Sequence, residues 1–398
     1  MKLKSIKQVK NLKNKKVLVR VDYNVAMEKG NVLDTERIER SYATINYLLK
    51  NKAKIILMAH LGRPKGEKDK DLSLKFVLKY LNQVTKKKVK FVDDCIGEKV
   101  NKQVSRLKAG QILLLENLRF YPGEKNNDAK FAQSLAELAD IYVNEAFANC
   151  HREHASIAAI TKYLPAYAGL NLIDEVNNLE KALKGYDKPA IAIIGGVKVE
   201  TKIKVIEKFL KKYNYVLIGG ALANNFFAGQ NIKLGKSVYN KEDVKLAEQL
   251  YDKYKSKIIL PIDVRTAKRL SPKSKVEAHD IFNLNKLKDK NWQIVDIGPK
   301  TEIYFEHFIH NAKTIVWNGP MGVFEIEAFS HGTEYIAQKF AAQAKGPAFG
   351  IVGGGETLVV INKLGLSKWP DFVSTGGGAM LNFLEGKTLP GIKPLIKR

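Results

Sequence analysis

The feature that most constrains this chain is a repeated alternation. An apolar run of strand length is followed by a turn, and then by an amphipathic segment. In the first half the runs are residues 16–21, 54–59, 89–93, 111–116 and 141–145, with amphipathic segments such as 36–50 and 128–139 between them. In the second half they are 190–195, 215–219, 257–261, 293–297, 314–317, 348–353 and 372–375. Parallel strands need a long crossover between them, and a helix supplies it. Strands that read as continuous apolar runs are covered on both faces. The fold class is therefore α/β: two doubly wound, Rossmann-like parallel-sheet domains.

Two domains also follow from size, because 398 residues exceed what one core ordinarily serves. The join falls between Leu170 and Asp187. Leu172, Ile173, Val176, Leu179 and Leu183 mark one face of a helix, and Gly185 can end it. No Ser/Gly- or Pro-rich linker occurs. The expected division is 1–170, a joining helix and hinge at 171–186, and 187–383.

Composition removes some classes. No apolar run approaches the roughly 18 residues of a membrane span. The basic start, Met1 to Lys7, lacks the apolar core of a signal peptide. Cys95 and Cys150 form no CxxC or metal-ligand spacing, so a reducing cytoplasm is expected. The formal charge of +26 invites nucleic acid, but the lysines are scattered and no zinc-finger or RNP-like motif is present. A basic surface that attracts a small polyanion accounts for the charge better.

In open α/β sheets ligands sit at the carboxyl ends of strands. In the first half those positions carry Asp22-Tyr23-Asn24, His60-Leu61-Gly62-Arg63, Arg119 after Asn117, and His151-Arg152-Glu153-His154; Arg37 lies at the start of the first helix. Arginine's planar fork suits phosphate and carboxylate. His151 and His154 lack the HExxH pattern of a metal site. Arg20 lies within a strand and reads as structural.

In the second half the same positions carry glycines: 195–196, 219–220, 298, 319, 322, 353–355 and 376–378. Lys198 and Lys202, four apart, would share a helix face and favour a bound anion. Neither a Walker A motif nor a dinucleotide fingerprint is present. Glu356 and Thr357 open a helix after a glycine turn. A carboxylate where phosphate-binding N–H groups belong points to a cation between them, hence a metal–nucleotide site.

Together these stretches resemble the phosphoglycerate kinase family nearly end to end. The matching motifs are 19–25, 60–64, 116–120, 143–154, 195–202, 316–325, 353–357, 373–379 and 384–387. The resemblance implies reversible phosphoryl transfer from 1,3-bisphosphoglycerate to ADP, giving 3-phosphoglycerate and ATP, with Mg2+, in line and after domain closure. It implies a cytoplasmic glycolytic monomer without a membrane or nucleic-acid partner. It places Asp22, Tyr23, Asn24, Arg37, His60, Leu61, Gly62, Arg63, Arg119 and Arg152 at the phosphoglycerate. Lys202, Glu325, Gly354, Gly355, Glu356 and Thr357 fall at the nucleotide, with Glu325 on the ribose and Glu356 toward the metal. Arg37, Lys198 and Lys202 are the catalytic set, and Gly376, Gly377 and Gly378 form a phosphate-binding helix start. The C-terminal residues 384–398 are expected to pack on the first domain. Four positions depart from the family pattern. Glu356 and Glu145 replace aspartates, Ile294 replaces a glycine beside the base, and Met380 replaces a serine.

Overall fold

The computed structural model describes residues 1–65, 67–197 and 202–397. It divides into two compact units. The first is Met1–Asn177 together with the segment from Thr388 onward, and the second is Asn178–Lys387. The division falls within the helix Leu170–Lys184.

The first unit is built on six parallel strands: β1 (Lys16–Arg20), β2 (Lys54–Met58), β3 (Lys90–Phe91), β4 (Ile112–Leu114), β5 (Ile141–Asn144) and β6 (Ala166–Ala168), in spatial order β3-β4-β2-β1-β5-β6. Side chains alternate between two cores, as a pleated strand requires. Val17, Val19, Ile55, Leu57, Ile112, Leu114 and Val143 pack on one face. Leu18, Ile56, Met58, Leu113 and Tyr142 pack on the other. Each fully buried aliphatic side chain contributes about 1.5–3 kcal/mol. The chain end returns to this unit: Lys4 N–H donates to Leu395 O (2.7 Å) and Gly391 N–H to Cys150 O (2.9 Å).

The second unit has its own six-stranded parallel sheet. Its strands are β7 (Ala190–Ile194), β8 (Tyr215–Ile218), β9 (Ile258–Ile259), β13 (Thr314–Asn318), β14 (Phe349–Gly353) and β15 (Phe372–Ser374), in order β9-β8-β7-β13-β14-β15. Between β9 and β13 the chain forms a separate antiparallel sheet of β10 (Asp263–Ala267), β11 (Glu277–Asp280) and β12 (Gln293–Ile297), in order β11-β10-β12. The run at 293–297 is thus a strand, but not one of the parallel sheet.

The segment 36–50 is two helices, Glu36–Arg40 and Tyr42–Lys50, rather than one. The break is at Ser41, whose Oγ donates to Ile38 O (2.7 Å) and accepts from Tyr23 OH (3.0 Å). Each parallel sheet has one switch point where the strand order reverses, between β1 and β5 and between β7 and β13. Ligand crevices form at the carboxyl ends of strands at such points.

Candidate functional site

In the first unit the residues after β1, β2 and β5 meet through a hydrogen-bonded frame. Asp22 forms an ion pair with Arg37 NH1, which fixes the half-buried guanidinium at the sheet edge. Asn24 Oδ1 accepts from Gly62 N–H (2.8 Å), and Gly62 O accepts from Arg119 NH1 (2.7 Å). Gly62 has φ +62°, and a Cβ there would lie 2.6 Å from Leu72 Cδ2. Only glycine fits that turn comfortably.

His60 is 2% exposed, and its Nδ1 lies 2.9 Å from Arg20 NH2. Arginine can only donate, so Nδ1 accepts and the ring proton sits on Nε2. Burial first, then Arg20, Arg119 and Arg152, holds its pKa well below the usual histidine value, so the ring is neutral. Arg20 is itself fully buried and also donates to Ser156 Oγ (3.0 Å) and to Val21 O.

Arg119 is 5% exposed, and its Nε has no partner among the described residues. Burial, then Arg152 and Arg20, lowers its pKa to about 10. Burial and Arg63 act in the same direction on Arg152. Arg63 is exposed. Behind this group lies one buried carboxylate, Glu124, which accepts from Ser156 N–H (2.9 Å) and Oγ (2.7 Å) and lies 3.6 Å from His154 Nδ1. Glu124 behind them and Asp22, which acts on Arg152, are outnumbered by Arg20, Arg37, Arg63, Arg119 and Arg152. Glu124 and Ser156 carried no motif signal in the sequence.

Two sequence-stretch assignments need correction. Tyr23 is fully buried and its hydroxyl is engaged by Ser41, so its side chain ties the 22–25 turn to the first helices and cannot reach a ligand. Leu61 is 1% exposed, and its carbonyl accepts from Asn117 Nδ2 (2.7 Å). Both side chains serve the frame. Cys150, near this rim, is fully buried, and burial pushes its thiol up to about 12, which leaves it inert.

In the second unit a cleft of about 200 Å³ opens at the β7/β13 switch point. Gly196, Gly220, Ile294, Glu325 and Glu356 are among its walls. Lys202 is 8% exposed; its Nζ donates to Gly195 O, and burial lowers its pKa to about 8 against a raising effect from Glu356. A Cβ on Gly196 would lie 2.8 Å from Lys202 Nζ and 3.7 Å from Glu356 Oε2. The ammonium and the carboxylate thus converge on one glycine.

The helix after β7 is Ile203–Lys212, with Lys202 at its N-cap. Lys202 precedes this helix, and the face it is expected to share with Lys198 runs through residues 198–201, outside the described residues. Lys198 lies outside the described residues.

The glycines divide into two groups. A Cβ on Gly195 would meet Pro320 O at 2.1 Å, one on Gly219 would meet Met321 Sδ at 2.4 Å, and one on Gly353 would meet Met380 Sδ at 2.2 Å. These glycines admit neighbouring loops. Gly355 and Gly377 have nothing within 4 Å of such a Cβ, and Gly354 has φ +102°. Gly355 begins the helix Gly355–Lys363, and Gly378 begins Gly378–Leu384 after Gly376 and Gly377. Glu356 is exposed in the first turn. Thr357 is fully buried and its Oγ1 accepts from Gly319 N–H (2.7 Å), so its side chain braces the 319–322 loop instead of meeting a ligand. Asp296 lies at the cleft with its pKa raised to about 8 by burial, and accepts from Gly332 N–H (2.6 Å).

Comparison with known proteins agrees across the whole chain. The family model for phosphoglycerate kinase matches residues 6–387. A phosphoglycerate kinase of Moorella thermoacetica is 45% identical over 391 residues, covering 97% of this chain and 98% of the relative. One of a Drosophila simulans Wolbachia is 46% identical over 393 residues, covering 98% and 97%. The solved phosphoglycerate kinase of Coxiella burnetii superposes with a TM-score of 0.86 at 40% identity, covering 99% of each chain. That of Pyrococcus horikoshii gives 0.86 at 32% identity, covering 99% and 98%. The chain belongs to the phosphoglycerate kinase family, phosphotransferases of glycolysis.

Proposed function

We propose that the first unit holds 3-phosphoglycerate or 1,3-bisphosphoglycerate through Asp22, Asn24, Arg37, His60, Arg63, Arg119 and Arg152. The second unit holds the nucleotide, with Lys202 and the 354–356 turn on phosphate and Glu325 on the ribose. The observation that carries this reading is Arg119, buried with an unpartnered Nε among other arginines. An anion with several oxygens would offset that clustered charge. The neutral His60 offers Nε2–H to a carboxylate without adding charge.

The transfer itself needs positioning and charge neutralisation rather than covalent help. A carboxylate leaves an acyl phosphate without being protonated, so no residue is assigned as general acid. Arg37, oriented by Asp22, and Lys202 face the phosphoryl group in flight, and Lys198 is assigned the same role. The N–H groups at 376–378 are assigned to phosphate. Each unit holds one reactant, so transfer in line follows closure of the units. Scattering should report compaction only with both substrates present; an unchanged radius would overturn closure.

The donor set fits Mg2+. Among the described residues no group of three or more His, Cys, Asp or Glu side chains gathers as a metal cage. A single carboxylate suits Mg2+, which keeps several waters and is shared with substrate phosphates. Glu356 would hold it, directly or through water. When bound, the ion neutralises charge on the phosphate oxygens.

No helix among the described residues is long and apolar enough to cross a membrane. The test is a coupled assay of ATP formation from 1,3-bisphosphoglycerate with ADP or GDP, with and without Mg2+. Turnover should require the nucleoside diphosphate and the metal. Turnover that persists in excess chelator would sink the assignment of Glu356.

A further inference from the structure

The nucleotide cleft is not the roomiest cavity of the second unit. A cavity of about 510 Å³ lies against the antiparallel sheet, compared with about 200 Å³ for the cleft. Thr266 and Ala267 of β10, Glu277 and His279 of β11, and Trp292 just before β12 form its floor and wall. The two cavities share no lining residue, and the division runs along the chain at β12: Trp292 lines one, and Gln293 to Asp296 line the other. Its size falls within the range of small-molecule pockets.

Charge at the rim is incompletely balanced. Lys268 pairs with Asp289 (2.6 Å) and Lys275 with Glu277 (2.8 Å), while His279 Nε2 lies 3.5 Å from the same Glu277. Both carboxylates are thereby used. Among the described residues no carboxylate pairs with Arg269, which is exposed at this rim. Trp292, 6% exposed, gives the wall an apolar face.

We propose that this cavity is a second small-molecule site, for an organic anion with a flat apolar body. Its carboxylate, phosphate or sulfonate head pairs with Arg269, whose fork matches such groups. Its body covers Ala267, Leu287 and the Trp292 indole. The site is separate from the nucleotide cleft and does not depend on the roles proposed for that cleft.

The test uses 8-anilinonaphthalene-1-sulfonate on the full chain, by fluorescence and equilibrium dialysis, with and without saturating Mg-ADP whose own binding is measured separately. One equivalent should bind and remain bound under saturating Mg-ADP. Arg269→Ala should weaken it roughly tenfold or more, the scale of a lost charge-assisted pair. Arg269→Lys should restore part of the affinity. Trp292→Phe should weaken it about threefold, through lost apolar contact. Displacement by Mg-ADP, unchanged affinity in Arg269→Ala, or no saturable binding each overturns the site. If Trp292→Phe fails to fold, the exposed Arg269 still decides.

Discussion

The two ends of this enzyme that are assigned to ligands are built on different plans. In the first unit the assigned atoms belong to side chains: arginines and a histidine held by partners such as Asp22, the buried Arg20 and Gly62 O. In the second unit the frame is backbone. Gly195, Gly196 and Gly220 are packed against the 319–322 loop, with Gly196 N–H donating to Pro320 O (2.8 Å) and Gly220 N–H to Met321 O (3.0 Å). Side chains then enter sparsely, as Lys202, Glu325 and Glu356. A side-chain site can lose its chemistry and keep its fold. A backbone site ties the two together, except at glycines that face open space.

The largest expected effect tests the side-chain plan. Arg37 is half-buried, paired to Asp22, and outside the packed core. Arg37→Ala should lower kcat about 10³-fold, the scale of a lost charge-stabilising donor in transfer chemistry. The thermal midpoint should stay within a few degrees. Arg37→Lys should not restore the rate, because an ammonium lacks the two-pronged geometry. A fall of less than tenfold in kcat would remove Arg37 from the transfer step.

The next contrast tests the backbone plan with two glycines of one unit. A Cβ at Gly195 would lie 2.1 Å from Pro320 O, which is backbone and cannot swing aside. Gly195→Ala should destabilise the protein by about 3 kcal/mol, the scale of overpacking a tight interior. At Gly355 nothing lies within 4 Å. Gly355→Ala should leave the thermal midpoint unchanged and raise KM for ADP roughly tenfold, because a methyl group would stand before the helix N–H groups. Unfolding curves and steady-state kinetics of the pair decide it. Similar melting of both variants would erase the division of the glycines.

Much of this was legible in the sequence, and the rest was hidden for physical reasons. Strands buried on both faces read as unbroken apolar runs, so β1, β2, β7 and β14 stood out. The strand Ala166–Ala168 did not, because three residues at a sheet edge carry no pattern. Nor did Asp263–Ala267 and Glu277–Asp280, whose charged side chains conceal strand character until the antiparallel partner is known. The arginines were legible because their chemistry lies in residue identity. The glycines were only half legible: glycine states that something comes close, not whether it is a ligand or Pro320. Glu124, Asp296 and the tautomer of His60 depend on burial and on partners remote in sequence, and no spacing encodes them.

A smaller effect separates the two sites by pH. Burial disfavours the charge on Lys202 and lowers its pKa to about 8. Above that pH the ammonium is lost, so kcat/KM for ADP should fall as pH rises through about 8. Bound phosphate favours the charged form, so kcat should stay level to higher pH. The first unit should behave differently. His60 is held neutral well below its usual value, so KM for 3-phosphoglycerate should show no histidine break between about pH 6 and 8. An inflection in that window would mean that the ring gains a proton and that the tautomer fixed by Arg20 is not the working one.

The smallest expected effect concerns Glu356, the carboxylate assigned to the metal. Glu356 is exposed in the first turn of its helix and approaches Gly196 together with Lys202. Glu356→Asp withdraws the carboxylate by one methylene, about 1.5 Å. The charge stays in the first turn, so its interaction with the helix dipole is retained. Mg2+ tolerates the change by gaining or losing a water, since it is rarely caged by protein alone. The variant should therefore keep kcat within about threefold, and KM for Mg-ADP should shift by a similar factor. Replacement by glutamine should cost more, because it removes the charge and leaves Lys202 without its nearby anion. If aspartate abolished turnover while glutamine did not, reach rather than charge would govern this position. The second unit would then share the side-chain precision of the first, and the contrast between the two plans would fail at its weakest point.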